Sequence, residues 1–318
     1  MDVMEWLMQG DPAIRWQVMR DLADAPPDAV AAERARVAHE GWGARLLGLQ
    51  DPGGRWDGGT YRPGWVDDDR PFFDAWTATH FCLQALMEFG LDPASPAARR
   101  AVERVRRGVR WEHEGEPYFD GEAEPCINGT ALAIAAYFGE GGDPIVDTVL
   151  DWHLPDGGWN CWAAYGARVS SFHSTICAIE GLLAWERAGG ESAAASAARR
   201  AGEDYLLERG LLNRRSTGRI ADPRFAMVSY PVRWYYDVLR GLDHFRLADR
   251  RDPRLAPAVE LLRAKRREDG RWVRELHHEG PQLIEVDGRE GDPSRWITLR
   301  ALRVLRWWDA ALPDQPKS

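Results

Sequence analysis

The 318-residue chain is short of cysteine, of positive charge and of long apolar runs, and each shortage excludes a class of protein. Its four cysteines are too few and too scattered for a disulfide framework, which favours a reducing cytoplasm. Its 41 Lys and Arg against 50 Asp and Glu give a net charge of −9, and nucleic acid is not an expected partner because phosphate binding needs a basic face. No stretch approaches the roughly 18 apolar residues of a transmembrane segment, and the first residues lack the pattern of a signal peptide. We therefore expect a soluble, cytoplasmic protein.

Tryptophan, by contrast, is abundant, and its 16 residues mark an internal repeat. Glycine-rich segments end in a tryptophan at Trp56, Trp159 and Trp272, and less regular glycine-containing loops lie near the midpoints between them. The spacing predicts a repeated unit of about 50 to 60 residues, which is long enough for a pair of helices.

Two kinds of helical segment alternate along the chain. Amphipathic segments such as 95–109 and 252–268 begin with Ser-Pro or Asp-Pro, which is typical of a helix N-terminus, and we expect them to face solvent. The other segments are nearly uniformly apolar or open with Arg-Trp, and we expect them to be buried on all sides. No long run alternates apolar and polar residues with period two, so the sequence predicts an all-α chain. The six segments of the buried kind lie near 12–23, 72–89, 126–138, 172–187, 231–246 and 294–309.

Six buried helices that alternate with amphipathic ones predict two concentric rings, an (α/α)6 toroid that forms a single domain over residues 1–318. We expect residues 311–318 to be a disordered tail. Successive inner helices of such a toroid run parallel, so their N-termini open on one face. Because helix N-termini carry partial positive charge and unpaired N–H groups, the chemistry is expected there.

Two repeat motifs resemble those of a known superfamily. Residues 50–56 follow a Q-x3-G-x-W pattern and residues 156–159 read DGGW. Over roughly residues 10–310, such motifs resemble the repeats of squalene-hopene cyclases, terpene cyclases and protein prenyltransferase β-subunits. The resemblance implies the α/α toroid and an enzyme that acts on an apolar, isoprenoid-like small molecule by prenyl transfer or cyclisation. Triterpene cyclases carry two such domains, whereas 318 residues supply one.

The resemblance to prenyltransferase β-subunits also implies a zinc site. Those enzymes hold zinc with an acid-x-Cys pair at the start of one inner helix and a histidine on the next. Glu124 and Cys126 match the pair, with Glu in place of Asp, His173 matches the histidine, and Cys161 in the intervening loop could complete the set.

The donor chemistry agrees, because thiolate, imidazole and carboxylate together suit zinc, and three protein ligands leave a position open for catalysis. We expect Cys126 and His173 to be catalytic as well as metal-binding, with the metal activating a nucleophile or polarising a leaving group. A buried cysteine that acts as a small hydrophobe, and a histidine that caps a helix, are the structural alternative.

An acidic cluster precedes the second buried segment and contains Asp67, Asp69 and Asp74. Class II terpene cyclases use an Asp-x-Asp-Asp motif in which one carboxylic acid, kept protonated by its neighbours, donates its proton to an alkene or epoxide. Here Arg70 stands where the last acid of the motif would be. A metal-free class II cyclase is therefore the second functional hypothesis, with Asp74 as a catalytic candidate. A solvated acidic turn is its structural alternative.

Arginine and aromatic residues form the candidate substrate-binding set. Arg15, Arg233 and Arg295 each precede a tryptophan at the start of a buried segment, and arginine is the preferred bidentate partner of phosphate or carboxylate. We expect a hydrophobic small-molecule substrate, with a diphosphate or other anionic group as one option. The structural alternative pairs these arginines with acids and stacks them on tryptophans. A non-catalytic lipid- or terpenoid-binding protein is the third hypothesis. The expected aromatic wall consists of Trp76, Trp159, Trp162, Trp234 and Tyr235.

Overall fold

A computed structural model describes residues 1–67 and 75–310 of the chain. The described residues form helices and loops with a few isolated β-bridges, which confirms the prediction of an all-α chain. None of the helices in these two ranges is long and apolar enough to cross a membrane. The predicted tail, 311–318, lies outside the described residues. The helices are α1 Val3–Met8, α2 Pro12–Asp21, α3 Pro27–Ala35, α4 Gly41–Gly48, α5 Thr79–Phe89, α6 Pro96–Gly108, α7 Pro125–Phe138, α8 Asp143–Asp151, α9 Phe172–Arg187, α10 Ala193–Leu207, α11 Val238–Leu247, α12 Ala256–Ala264 and α13 Arg295–Asp309.

The six segments predicted to be buried helices correspond to α2, α5, α7, α9, α11 and α13, but two of them begin later than predicted. The first turn of α5 is at Thr79, whereas we expected helix from residue 72. The helix expected from residue 231 begins at Val238, because Arg233 has a φ of 54°, which a right-handed helix excludes. Asp237 then caps α11, and its Oδ1 accepts a hydrogen bond from the Arg240 N–H at 2.8 Å.

The three glycine-rich loops are closed by the same set of hydrogen bonds, which we call the tryptophan latch. In each latch the indole N–H of a fully buried tryptophan donates to a carbonyl of the preceding helix, and its backbone N–H donates to a threonine hydroxyl in the next helix. The repeat predicted from the sequence is therefore a repeated hydrogen-bond pattern. The indole pairs are Trp56 with Leu46, Trp159 with Val149 and Trp272 with Leu262, at 2.7, 2.7 and 2.8 Å. The threonine partners are Thr79, Thr175 and Thr298, at 3.1, 3.1 and 3.0 Å.

Side chains from α2, α5, α7, α9, α11 and α13 together line one cavity of about 370 Å³. Neighbouring members of this group pack directly on each other, in the pairs α2–α5, α5–α7, α7–α9, α11–α13 and α13–α2. Arg240 of α11 joins α9 through an ion pair with Glu180 at 2.6 Å.

The contact between α7 and α9 is especially close because glycines meet there. A Cβ atom on Gly129 would overlap the backbone of Cys177, and one on Gly181 would overlap the carbonyl oxygen of Gly129. These two helices are therefore in backbone contact, which holds their first turns in a fixed relation.

Candidate metal centre

Three of the four predicted metal ligands lie together at the first turns of α7 and α9. Glu124 is the N-cap residue of α7, Cys126 is in its first turn, and Cys161 opens the short 3-10 helix Cys161–Tyr165. Their ligand atoms all lie within 4.8 Å of one another, and the Cys126 thiol donates to Glu124 Oε2 at 3.7 Å. All three side chains are half-buried, so the cluster is within reach of a small molecule from solvent.

The loop that carries Cys161 is held by hydroxyl groups of α9. The Thr175 hydroxyl accepts from the backbone N–H of Trp159 at 3.1 Å, as part of the second tryptophan latch. The Ser174 hydroxyl accepts from the backbone N–H of Cys161 at 3.1 Å and donates to Cys161 Sγ at 3.3 Å. Both the backbone and the sulfur of Cys161 are thus oriented by α9, an arrangement that resembles the hydrogen bonds which orient metal ligands in other proteins.

Without a cation, the surroundings of Cys126 favour its protonated thiol. A hydrogen bond with Cys161, burial and the nearby charges raise the pKa of Cys126 well above its usual value. Burial raises the pKa of Tyr61, and the charges of Cys126 and Glu124 add to this effect. A divalent cation would reverse this balance, since it stabilises adjacent thiolates and a carboxylate. Tyr61 was not predicted, because it is one loop residue among many in the sequence.

His173, the fourth predicted ligand, is not a member of this cluster. Its Nδ1 accepts a hydrogen bond from the backbone N–H of Tyr236 at 2.8 Å, so in the neutral ring the proton is on Nε2. A histidine that binds a metal through one nitrogen normally donates its other N–H, which is the opposite pattern. Burial and the charges of Arg240 and Arg224 lower the pKa of His173 to about 4, so the ring is neutral at pH 7. The expectation that His173 is a metal ligand therefore gains no support from its hydrogen bonding.

Arg233 and Trp76, two predicted substrate-binding residues, lie together in the interior. The Arg233 guanidinium lies 5.7 Å from the Trp76 ring, and its Nη2 donates to Gln282 Oε1 at 3.1 Å. Burial lowers the pKa of Arg233 to about 10. The cavity beside these side chains has a volume of about 30 Å³, enough for about two water molecules and too small for an isoprenoid.

The remaining predicted substrate-binding residues are dispersed. Trp159 belongs to a tryptophan latch, and Trp162 is 70% exposed. Arg295 donates to the carbonyl of Trp6 at 3.1 Å and lies over its ring, which is the structural alternative considered above. Tyr235 stacks on the His278 ring with centroids 3.8 Å apart. These four residues do not line the cavity shared by the six helices.

Of the three acidic residues predicted before the second buried helix, the described part of the chain includes one. Asp67 is exposed, whereas Asp69 and the catalytic candidate Asp74 lie outside the described residues.

The cavity shared by the six helices contains charged residues that we did not predict, among them Arg240, Arg300 and Asp243. A signal was present in the sequence, because these charges lie inside helices that the pattern assigns to the interior.

Comparison with known proteins adds no relative from which a function could be inferred. No model of a known protein family matches the chain, and no curated protein sequence matches it.

Proposed function

We propose that this protein is a zinc-dependent enzyme in which Glu124, Cys126 and Cys161 hold the metal. The observation that carries the proposal is the approach of these three ligand atoms to within 4.8 Å of one another, from two separate segments. Two sulfur ligands and one oxygen ligand suit zinc, and three protein ligands leave the fourth position for water or substrate, as catalytic zinc sites require.

Zinc at this site would supply Lewis acidity and a nucleophile that is deprotonated at neutral pH. The protein's own residues would prepare the site for it. Ser174 holds Cys161 through two hydrogen bonds, and the Glu122 carboxylate accepts from the backbone N–H of Glu124 at 2.6 Å. His173 would act from beside the metal, because its Nε2–H is free of the Tyr236 contact and can donate to a bound substrate.

The architecture that we propose is the (α/α)6 toroid. The cavity lined by all six helices, the five packed helix pairs and the Arg240–Glu180 ion pair between α11 and α9 support a closed ring. For the reaction we propose prenyl transfer or cyclisation of an isoprenoid-like molecule, as the resemblance implies. The four free cysteines agree with the proposed cytoplasmic location.

Metal analysis tests the proposal directly. The protein, purified under reducing conditions from zinc-supplemented medium, should contain about one zinc per chain. Substituting Co²⁺ should produce thiolate-to-metal charge-transfer absorption. Cys126→Ala, Cys161→Ala and Glu124→Gln should each lose most of the metal, whereas Cys82→Ala, which removes a buried thiol outside the cluster, should retain it.

His173→Ala separates this ligand set from the one that the resemblance implies. It should keep its zinc, because His173 is outside the cluster, but lose activity. A wild-type protein that neither contains zinc nor takes it up in a titration would overturn the proposal. So would a Cys161→Ala variant that binds zinc as tightly as the wild type.

A further inference from the structure

The cavity shared by the six helices is lined by an excess of arginine. Among the described residues, six arginines and three carboxylates line its volume of about 370 Å³. This local excess of positive charge contrasts with the net charge of −9 of the whole chain. The arginines are Arg20, Arg34, Arg240, Arg246, Arg300 and Arg303, and the acids are Glu88, Glu180 and Asp243.

The carboxylates do not saturate these arginines. Glu180 pairs with Arg240 at 2.6 Å, and a single carboxylate, Asp243, is shared by Arg246 at 2.6 Å and Arg300 at 3.3 Å. Asp21, just outside the lining, contacts two more of the arginines, Arg20 and Arg303. Even with Asp21 included, the arginines outnumber the carboxylates by two. Backbone carbonyls and Cys177 occupy the remaining donors of Arg240, whereas Arg303 Nε has no partner among the described residues.

Several other polar groups of the lining also lack a partner within the described part of the chain. They are atoms of nearly fully buried side chains, and leaving such atoms unpaired is unfavourable. They include both donors and acceptors. The atoms are Gln84 Oε1, His244 Nδ1, Trp296 Nε1 and Arg303 Nε.

The protein bears an electrostatic cost for this arrangement. Burial lowers the pKa of Arg303 to about 10, and repulsion from Arg246 and Arg20 adds to that effect. Burial also raises the pKa of Glu88, against the opposing effect of Arg300. An anion placed among these guanidinium groups would relieve the repulsion.

We propose that this cavity binds a small organic anion through its phosphate or carboxylate groups, at a site distinct from the metal centre. Guanidinium groups bind both kinds of oxyanion in bidentate fashion. The volume of about 370 Å³ is near the lower end of the roughly 300–1,000 Å³ of small-molecule sites, so the ligand is a small molecule. The Trp16 and Trp296 rings provide flat surfaces for its uncharged part.

Calorimetric titration with inorganic pyrophosphate and with citrate tests the proposal, with glucose as the uncharged control. At least one anion should bind at one site per chain, more weakly as salt is added, and glucose should not bind. Binding of pyrophosphate alone indicates a phosphate ligand, and binding of citrate alone a carboxylate ligand. Arg300→Gln and Arg303→Gln should each weaken binding by about tenfold or more, because each removes charge-assisted hydrogen bonds.

Arg254→Gln is the matched control, because Arg254 pairs with Asp252 on the surface. This variant should bind the anion with the affinity of the wild type. If the buried variants fail to fold, Arg34→Gln tests the anion site instead. Arg34 is half-buried at the cavity, so this substitution should leave the chain folded and weaken anion binding several-fold. Binding should survive in Cys161→Ala, which separates this site from the zinc proposal. Absence of binding by both anions, or wild-type affinity in the folded cavity variants, would refute the anion site.

Discussion

Replacing Ser174 by alanine is expected to weaken zinc binding by about 10- to 100-fold while leaving the chain folded. The Ser174 hydroxyl makes two hydrogen bonds to Cys161, one to its backbone N–H at 3.1 Å and one to its sulfur at 3.3 Å. The substitution removes both without touching a ligand atom. The Cys161 sulfur then loses the donor that orients it, and the loop can move away from Cys126.

The size of the effect follows from what is lost. A tenfold change in affinity corresponds to about 1.4 kcal/mol, the value of one or two hydrogen bonds of this kind. The cost to folding should be of similar size, about 1 kcal/mol, because Cys161 is half-buried and water can replace the hydroxyl. The variant should therefore be folded at room temperature and bind zinc less tightly.

Competition against a chelating dye measures the zinc affinity, and urea denaturation measures the stability of the same samples. Ser95→Ala is the matched control, because the Ser95 hydroxyl caps α6 by accepting from the Ala98 N–H at 3.2 Å, away from the cluster. It should lose about 1 kcal/mol of stability with no change in zinc affinity. Equal affinity losses in the two variants, or an unchanged affinity in Ser174→Ala, would refute the reasoning.

Three further predictions concern the stability of the fold. Thr298→Val leaves the buried N–H of Trp272 without its acceptor, and urea denaturation should show a loss of about 1–3 kcal/mol. Gly129→Ala forces α7 and α9 apart, and it should lower both the unfolding free energy, by about 1–3 kcal/mol, and the zinc affinity. Burial opposes the ionisation of Glu203, but hydrogen bonding with His244 and nearby arginines hold the pKa of Glu203 at about 2. The wild type should therefore lose stability as the pH falls from about 4.5 towards 2, and Glu203→Gln, less stable at pH 7, should lose less over that interval.

Each of these has an outcome that would contradict it. The Thr298 prediction fails if Thr148→Val, which alters a half-buried threonine on α8 with an exposed hydrogen bond, is destabilised as much. The Gly129 prediction fails if Gly129→Ala leaves the unfolding free energy unchanged, since α7 and α9 would then accommodate a Cβ atom between them. For Glu203, thermal melts from pH 6 to 2 must show a shallower dependence in the glutamine variant than in the wild type.

The sequence predicted the helices better than their beginnings. Buried helices are apolar on all sides, so α7 and α9 were recognisable from composition and lie within a residue of the predicted ranges. The start of α11 was wrong because Arg233 and Trp234 resemble a helical opening, and a left-handed φ at Arg233 cannot be read from residue order. Trp159 was recognised as a repeat residue, but its partner atoms, a carbonyl and a hydroxyl on two other helices, were not visible in the sequence.

The Glu124–Cys126 part of the candidate cluster could be predicted because its information is local. Glu124 and Cys126 are two residues apart, and only a few residue types bind zinc. The acceptor role of His173 could not be predicted, because it depends on the backbone N–H of Tyr236, which is distant in sequence. The arginine-lined cavity was missed for a related reason. Its arginines and acids come from α2, α3, α5, α9, α11 and α13, and no single helix contributes more than three of them.

The helix pair α7–α9 connects the two proposed sites. Cys126 lies in the first turn of α7, and Thr130, one turn further along, lines the cavity and donates to the Cys126 carbonyl oxygen at 3.4 Å. On α9, the Cys177 sulfur accepts from Arg240 Nη2 at 3.5 Å, next to the same cavity. Because Gly129 brings the two helices into backbone contact, Cys126 and the part of the cavity wall that α7 and α9 supply lie on one packed pair of helices. The two proposed sites, although distinct, therefore share this helix pair as a common wall.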